Sequence, residues 1–338
     1  MEKHVKPHSP RNYRTIIIFT VLFVLIGISV FLYIFSRTYV KAWRLGIETT
    51  PATFDSIIER AYPVLIGMFI SAVLIAVVSL SFQTITQSRL LTPSMIGFDS
   101  IFIATQTIII FSFGAVSDIF SNPYINFIFS SGIMVILSMI MYGFILRKGR
   151  NNIIFLLMFG LVVSGILNNT SNYLQIIMDN NDYYRVQAAV SVTVNNMNTD
   201  IIFIALPIIL CISMFIIFRH RIYNVMSLGA QQAKSLGVNY GRELNINLVL
   251  IAVGMSVTTA LIGPLTFLGL LAVNSARELL KTHKHFPLFI ASALLAAITL
   301  IFGQAIVEYL EGAVPVTAII NLVGCSYTFY LIYKQNRV

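Results

Sequence analysis

Long apolar runs divide the chain from near its beginning to its end, and they constrain its fold more than any other feature. They lie at roughly 15–36, 61–81, 97–116, 123–146, 152–175, 199–218, 244–262, 264–280, 286–307 and 314–333. A helix needs about 20 apolar residues to cross the hydrocarbon core of a membrane. Since 57% of the residues are hydrophobic and only 10% are charged, a soluble domain is excluded. The sequence therefore predicts an all-α, polytopic membrane protein with about ten transmembrane helices.

The distribution of basic residues predicts the orientation of this protein. If the N-terminus is cytoplasmic and the runs alternate sides, 17 of the 22 lysines and arginines fall on the inner side. The other five fall outside: Arg37, Lys41, Arg44, Arg60 and Arg185. Cytoplasmic loops carry an excess of basic residues. We therefore expect both termini in the cytoplasm, with a tail at 1–14, a single transmembrane domain at 15–333 and a second tail at 334–338, in the cell membrane.

A polar segment interrupts the apolar pattern between the sixth and seventh runs. It reads LGAQQAKSLGV over Leu228–Val238, within a loop at 227–238. Residues 229, 233, 236 and 237 are at helical spacing, which predicts a short helix with one narrow, nearly flat face. Gly237 is a candidate helix stop. Such a face fits a groove on another protein, and the alternative is an ordinary solvated loop between two spans.

This segment resembles the cytoplasmic coupling loop of the ferric-siderophore permease family, the ABC importer permeases for iron chelates and cobalamin. The family pattern is Leu-Gly, two mostly acidic residues, any residue, Ala, two residues and Leu-Gly. The matching residues are Leu228, Gly229, Ala233, Leu236 and Gly237. Ala230 and Gln231 occupy the acidic positions, so this chain departs from the pattern there. In the family this loop docks into the ATP-hydrolysing subunit, and the resemblance implies the same role here.

Three further stretches carry the resemblance in the family's order and spacing, at 83–97, 263–277 and 315–331. The helix-break or gating candidates among their matching residues are Gln83, Pro93, Gly97, Gly263, Pro264, Gly269, Arg277 and Pro315. Pro93 and Gly97 are expected to break the helix between two spans. Gly269 permits a neighbouring backbone to approach closely. Arg277 is either a snorkelling anchor or a contact to a partner.

The residues predicted on the outer side indicate a function less specifically than the polar segment does. The resemblance implies that an extracellular substrate-binding protein docks there, with carboxylates that pair with basic residues of the permease. The docking candidates are the five outer basic residues, Arg37, Lys41, Arg44, Arg60 and Arg185. The stretch 168–198 is rich in Asn, Asp and Tyr, and it either lines a path for a large polar solute or forms a loop.

Few ionisable residues interrupt the apolar runs. Asp99 and Asp200 lie near the ends of spans, where they can reach water or a neighbouring loop. The cluster His283-Lys284-His285 has two candidate metal ligands, but two ligands among basic neighbours make a poor site. We expect this cluster to be a solvated loop that flanks the membrane.

Several kinds of function are disfavoured by the motifs that the sequence lacks. There is no G-x-x-x-x-G-K-[ST] phosphate loop, so any ATPase must be a separate subunit. We find no catalytic constellation, no cofactor or metal site, and no basic face for nucleic acid. The resemblance implies the permease subunit of an ABC importer, working with a second permease, two ATPase subunits, a binding protein and membrane lipid.

The resemblance also implies that the solute is an iron chelate. A ferric siderophore is expected ahead of haem or cobalamin. The alternative from another class is a secondary transporter or channel that works alone, which would need no ATPase and would tolerate changes in the 228–238 segment. A membrane enzyme is a third interpretation, and it lacks catalytic residues.

Overall fold

The computed structural model describes residues 10–40, 51–114, 117, 122–149, 153–191, 199–310 and 314–335, and they form helices joined by turns. The α-helices are α1 Pro10–Phe35, α2 Pro51–Thr86, α3 Phe98–Phe113, α4 Pro123–Gly149, α5 Ile153–Ile177, α6 Asn180–Val190, α7 Thr199–Phe218, α8 His220–Met226, α9 Ala230–Ser235, α10 Tyr240–Ile262, α11 Leu268–Leu280, α12 His285–Tyr309 and α13 Val316–Gln335. A π-helical turn at Ser36–Val40 follows α1, and a 3-10 turn at Ser94–Ile96 precedes α3. The all-α prediction is confirmed.

Each predicted apolar run contains one helix, but the helices differ in length. Within the described residues, helices at Thr15–Thr38, Ala61–Thr86, Pro123–Met141, Thr199–Phe218, Tyr240–Ile262 and His285–Tyr309 are long and apolar enough to cross a membrane. Helix α3 has 16 residues and α11 has only 13. At 1.5 Å per residue α11 is about 20 Å long, shorter than the hydrocarbon core of about 30 Å. The number of ten complete spans therefore stays a prediction.

Helix α2 is the centre of the molecule. In its apolar part 78% of the residues are buried, whereas in α1 the corresponding share is 11%. Leu74 and Val78 of α2 pack against Gly254 of α10, and Ile75 and Ser79 pack against α11. Helix α2 is therefore packed against at least two neighbouring helices, α10 and α11.

The chain breaks its helices at the two places that the sequence predicted. Gly97 has a φ of 121° and lies between the 3-10 turn and α3, while Gly263 has a φ of 97° and ends α10. Both values are in the region that favours glycine. A Cβ atom at Gly97 would lie 2.5 Å from the Oγ atom of Ser164, so the break also lets the turn pack tightly on α5.

A buried hydrogen bond joins the two breaks. The Thr266 hydroxyl, in the turn between α10 and α11, donates to Oδ2 of Asp99 in the first turn of α3 at 2.6 Å. Asp99 therefore reaches a neighbouring loop, as predicted, while its Oδ1 atom is buried with no hydrogen-bond partner among the residues that the structure describes. Asp200 accepts a hydrogen bond from the Tyr124 hydroxyl at 2.8 Å.

The close approach expected at Gly269 is present, with Ser79 of α2 as the neighbour, and it leads to a prediction about stability. In the Gly269→Ala variant the new Cβ atom would lie 2.0 Å from Oγ and 2.7 Å from Cβ of Ser79. Helix α11 would have to move away from α2, so we expect the free energy of unfolding to fall by about 1–3 kcal/mol. Thermal unfolding of the detergent-solubilised chain measures this.

The matched control is Gly27→Ala in α1, because a Cβ atom there meets nothing within 4 Å. This exchange in an exposed helix should leave stability unchanged or raise it by about 1 kcal/mol at most. Equal unfolding midpoints for the two variants would contradict the close contact between α11 and α2.

Candidate functional site

The polar segment 227–238 folds as a short helix held between two glycines. Gly229 (φ 99°) precedes α9, and Gly237 (φ 83°) follows it. The Gly237 N–H donates to the Lys234 carbonyl and the Val238 N–H donates to the Ala233 carbonyl, both at 3.0 Å. This pair of bonds is a Schellman motif. The prediction that Gly237 stops a helix is confirmed.

The exposed face of this segment differs from the predicted one. Ala233 is fully buried, whereas Leu228 and Leu236 are 54% and 61% exposed. The expectation that residues 229, 233, 236 and 237 share one flat face is therefore wrong. Helix α9 has only six residues, and both glycines lie outside it in left-handed backbone, so helical spacing does not extend to them. The segment instead presents two leucines outward and uses Ala233 to pack inward.

Aromatic and ionic contacts attach helix α8 to the helix ends beneath it. Tyr223 is buried, and its ring packs edge-on against Phe289 of α12 at a centroid distance of 5.5 Å. Burial raises the pKa of the Tyr223 phenol, so the hydroxyl stays protonated and donates a hydrogen bond to Asn247 of α10. Arg219, just before α8, forms a salt bridge with Glu243 of α10.

A hydrogen-bonded chain of three side chains links α8 to α12 and α2. The Oδ1 atom of Asn224 accepts a hydrogen bond from the backbone N–H of His285 at 2.8 Å. The same oxygen lies 2.8 Å from the Nδ1 atom of the His285 ring. Nε2 of His285 lies 2.9 Å from the Thr84 hydroxyl of α2. Since the Asn224 oxygen can only accept, Nδ1 of His285 carries the proton. A buried histidine thus connects α8, which leads into the polar segment, to α12 and α2.

The end of α2 also contacts the polar segment from the other side. Gln87 has a φ of 54°, and its Nε2 atom donates to the Met226 carbonyl at 3.1 Å. The Tyr240 hydroxyl, at the start of α10, donates to the Ile85 carbonyl at 3.2 Å. The residues that flank the polar segment, Met226 before it and Tyr240 after it, are therefore both hydrogen-bonded to the end of α2.

A cavity of about 960 Å³ lies beside the polar segment and brings the sequence motifs together. Leu228, Gln83 and Arg277, which come from three separate stretches of sequence, all line it. Asn274 lines it as well, and its Nδ2 atom donates to the Arg89 carbonyl at 2.8 Å. The inner ends of α2, α11 and α12 and the polar segment thus form one continuous site.

Comparison with known proteins places the chain in a family. The FecCD transport family matches residues 17–334, which is almost the whole chain. This chain belongs to the FecCD transport family. It is a multi-pass membrane protein with the fold of an ABC transporter permease.

Similar FecCD-family proteins agree with this assignment. The petrobactin import system permease protein YclO of Bacillus subtilis (strain 168) is 38% identical over 264 residues, or 78% of this chain and 84% of YclO. The petrobactin import system permease protein FatC of Bacillus anthracis is 32% identical over 292 residues, or 84% and 82% of the two chains. A chain of a metal-chelate type ABC transporter in an inward-facing conformation superposes with a TM-score of 0.79 at 19% identity, covering 95% of this chain and 99% of the other.

The remaining predicted residues of this FecCD-family permease lie apart from the cavity. Pro93 precedes the 3-10 turn, and Gly263 and Pro264 open the turn before α11. Pro315 precedes α13, where its carbonyl accepts from the Ala318 N–H at 3.0 Å. These positions lie at helix ends and do not line the cavity.

The outer basic residues are in different environments. Arg37 lies 3.7 Å from Glu308 in a salt bridge, donates to the Tyr33 hydroxyl and has a side chain only 15% exposed. Arg185 on α6 is exposed. Lys41 and Arg44 lie outside the described residues, as does the side chain of Arg60. Among the side chains that the structure describes, Arg185 is therefore the more accessible candidate.

Sequence reasoning missed the residues that attach the polar segment. The expected solvated loop at 283–285 is correct for exposed His283 and wrong for His285, which is only 4% exposed. Tyr223 and Asn224 belong to no recognisable sequence motif. Their neighbours Thr84 and Phe289 are distant in sequence, so no local pattern indicated these contacts. The one available indication was an aromatic and an amide in an otherwise basic loop.

The Asn224–His285 contact predicts a measurable loss of stability. In the Asn224→Ala variant both His285 donors lose their acceptor in a buried place, which should cost about 1–3 kcal/mol. Gln231→Ala is the control, because Gln231 is exposed on α9. Thermal unfolding of the two purified variants makes the comparison. If the control lost as much stability as Asn224→Ala, the Asn224–His285 hydrogen bonds would not contribute more to stability than an exposed side chain does.

Proposed function

We propose that this FecCD-family permease is the transmembrane subunit of an ABC importer that carries a ferric siderophore across the cytoplasmic membrane. Two ATPase subunits, a second permease and an extracellular binding protein complete the assembly. YclO and FatC, both more than 30% identical to this chain, are named as petrobactin import permeases. Ferric petrobactin is therefore the first chelate to test.

The exposure of Leu228 and Leu236 carries this proposal. The two leucines project from a segment whose flanking residues are hydrogen-bonded to α2 and α12. Large apolar side chains that face water on a rigid support are typical of a protein interface. The excess of basic residues in the predicted inner loops supports a cytoplasmic location for this surface, where an ATPase subunit would be available.

The polar segment is arranged to transmit a movement of the ATPase. A push on Leu228 or Leu236 acts on α8, and α8 contacts α12 through Tyr223 and His285. Because packed helices have discrete arrangements, such a push favours one of two global states of the pore. The breaks at Pro93, Gly97, Gly263 and Pro264 are the proposed points where α3 and α11 change position.

The outer half of the permease offers a polar path. Asn169, Asn172 and Tyr173 are exposed on α5, and Tyr184 and Arg185 are exposed on α6. Polar side chains are costly on a surface that faces lipid. We infer that this face lines the pore with a second permease, and that Arg185 is among the residues that meet the binding protein.

The docking proposal is tested with a Leu228→Ser, Leu236→Ser double variant. Removing two exposed leucines from an interface costs about 1–2 kcal/mol each, so ATPase binding should weaken at least tenfold. The measurement is co-purification of the cognate ATPase with the solubilised permease, alongside its thermal unfolding midpoint. The midpoint should stay near the wild-type value because both side chains are exposed.

Leu279→Ser is the matched control, since Leu279 is 41% exposed at the inner end of α11 but lies outside the polar segment. It should retain the ATPase. If the double variant binds the ATPase as well as the wild type does, docking uses another surface. If the wild type binds no ATPase and moves solute alone, the secondary-transporter alternative replaces the importer.

A further inference from the structure

The cavity beside the polar segment concentrates positive charge. Arg89, Arg277 and Lys281 line it together with a single carboxylate, that of Glu278. Glu278 is already engaged, because one of its carboxylate oxygens accepts a hydrogen bond from the Tyr327 hydroxyl at 3.2 Å. The cavity therefore has an excess of cationic groups over the negative charge that could neutralise them.

Several donors in this cavity have no acceptor within the described part of the chain. Neither the Arg89 nor the Arg277 guanidinium has an ion-pair partner there, and the two groups repel each other. The Nε atom of Arg277 is buried without a hydrogen bond. Gln83 is only 2% exposed, and neither its Nε2 nor its Oε1 atom has a partner. Arg89 is exposed, whereas Arg277 Nε and Gln83 Nε2 are buried donors without a partner in the described part of the chain. Because buried polar groups are nearly always hydrogen-bonded, these two donors suit an anionic partner. The Gln83 Oε1 atom is an acceptor and would not contact an anion.

We propose that this cavity binds a phosphate group. A tetrahedral oxyanion offers several acceptor oxygens, which suits a cavity lined by two guanidinium groups and an amide from α2, the turn that follows it and α11. A single arginine would be enough for a carboxylate, and it would leave the second guanidinium unpaired. The volume of about 960 Å³ is at the upper end of small-molecule sites, so there is room for more than a free ion.

Two sources present a phosphate group at this position. The cavity lies at the inner ends of α2 and α11 and the start of α12, and basic pockets between helices on the cytoplasmic side bind anionic lipid head groups. Dissolved inorganic phosphate presents the same kind of oxyanion, with several acceptor oxygens. The inference is independent of the ATPase docking proposed above, and its test needs neither an ATPase nor transport.

The test uses the full-length permease, purified and stripped of native lipid. Binding is titrated by native mass spectrometry with dioleoyl phosphatidylglycerol, and with dioleoyl phosphatidylcholine as the zwitterionic comparison. Inorganic phosphate is compared with chloride at equal ionic strength by its effect on the unfolding midpoint. We expect phosphatidylglycerol to bind at least tenfold more tightly than phosphatidylcholine. A phosphate-specific stabilisation without lipid preference would identify the dissolved ion as the source.

The Arg89→Gln, Arg277→Gln double variant should weaken binding by roughly tenfold for each charge-assisted hydrogen bond that it removes. Arg221→Gln, Arg242→Gln is the matched control, because both arginines are exposed on the same side and do not line the cavity. It should bind as the wild type does. Equal weakening in both double variants would show non-specific surface attraction and would overturn the site.

If the glutamine variant does not fold, Arg89→Lys, Arg277→Lys replaces it. Lysine keeps the charge but loses the bidentate geometry, so binding should still weaken several-fold. Unchanged affinity in a folded variant would overturn the proposal. The absence of any preference for phosphatidylglycerol or phosphate in the wild type would overturn it as well.

Discussion

Tyr223 and His285 fix the polar segment to the membrane helices, and the rest of the site depends on these contacts. A polar loop between two spans would ordinarily move freely in water. Here a buried phenol packs on Phe289, and a buried imidazole bridges Asn224 and Thr84. Because hydrogen bonds to buried groups are costly to break, we expect α8 and the polar segment after it to move together with α2 and α12. Under the proposed function, this attachment is what would transmit a movement of the two exposed leucines to the helix bundle.

The broken helices follow from the same need to satisfy buried polar groups. Inside a membrane protein, backbone that leaves a helix must find partners within the protein. The turn at 94–97 packs on α5, where Gly160 is close enough to Ile96 that an added Cβ atom would lie 2.5 Å from its Cγ2 atom. Thr266 and Asp99 join the two breaks directly. The short helices α3 and α11 are therefore held as a pair.

Much of the fold could be predicted because it depends on local composition. Each apolar run contains a helix, and Gly97, Gly237 and Gly263 mark real helix ends because positive φ is a local requirement. The close packing at Gly269 agrees with the expectation, but a glycine in an apolar helix does not predict it alone, because Gly27 of α1 meets nothing within 4 Å.

Other features could not be predicted in this way. Nearly uniform apolar spans carry little periodicity, so the sequence does not show which side of α5 or α13 is buried. The inward position of Ala233 and the burial of His285 depend on residues far away in the chain, such as Thr84. The cavity depends on the same long-range packing: Arg89 and Arg277 come from separate stretches, and only the folded chain brings them together.

The most direct test of the central claim is uptake of a radio-iron siderophore into proteoliposomes. The vesicles would contain the permease with its cognate ATPase, and the binding protein would be supplied with ferric petrobactin on the outside. Our account predicts accumulation that requires hydrolysable ATP inside, is lost with a non-hydrolysable analogue and persists when ion gradients are collapsed. Accumulation by the purified permease alone, driven by an ion gradient and indifferent to ATP, would contradict it.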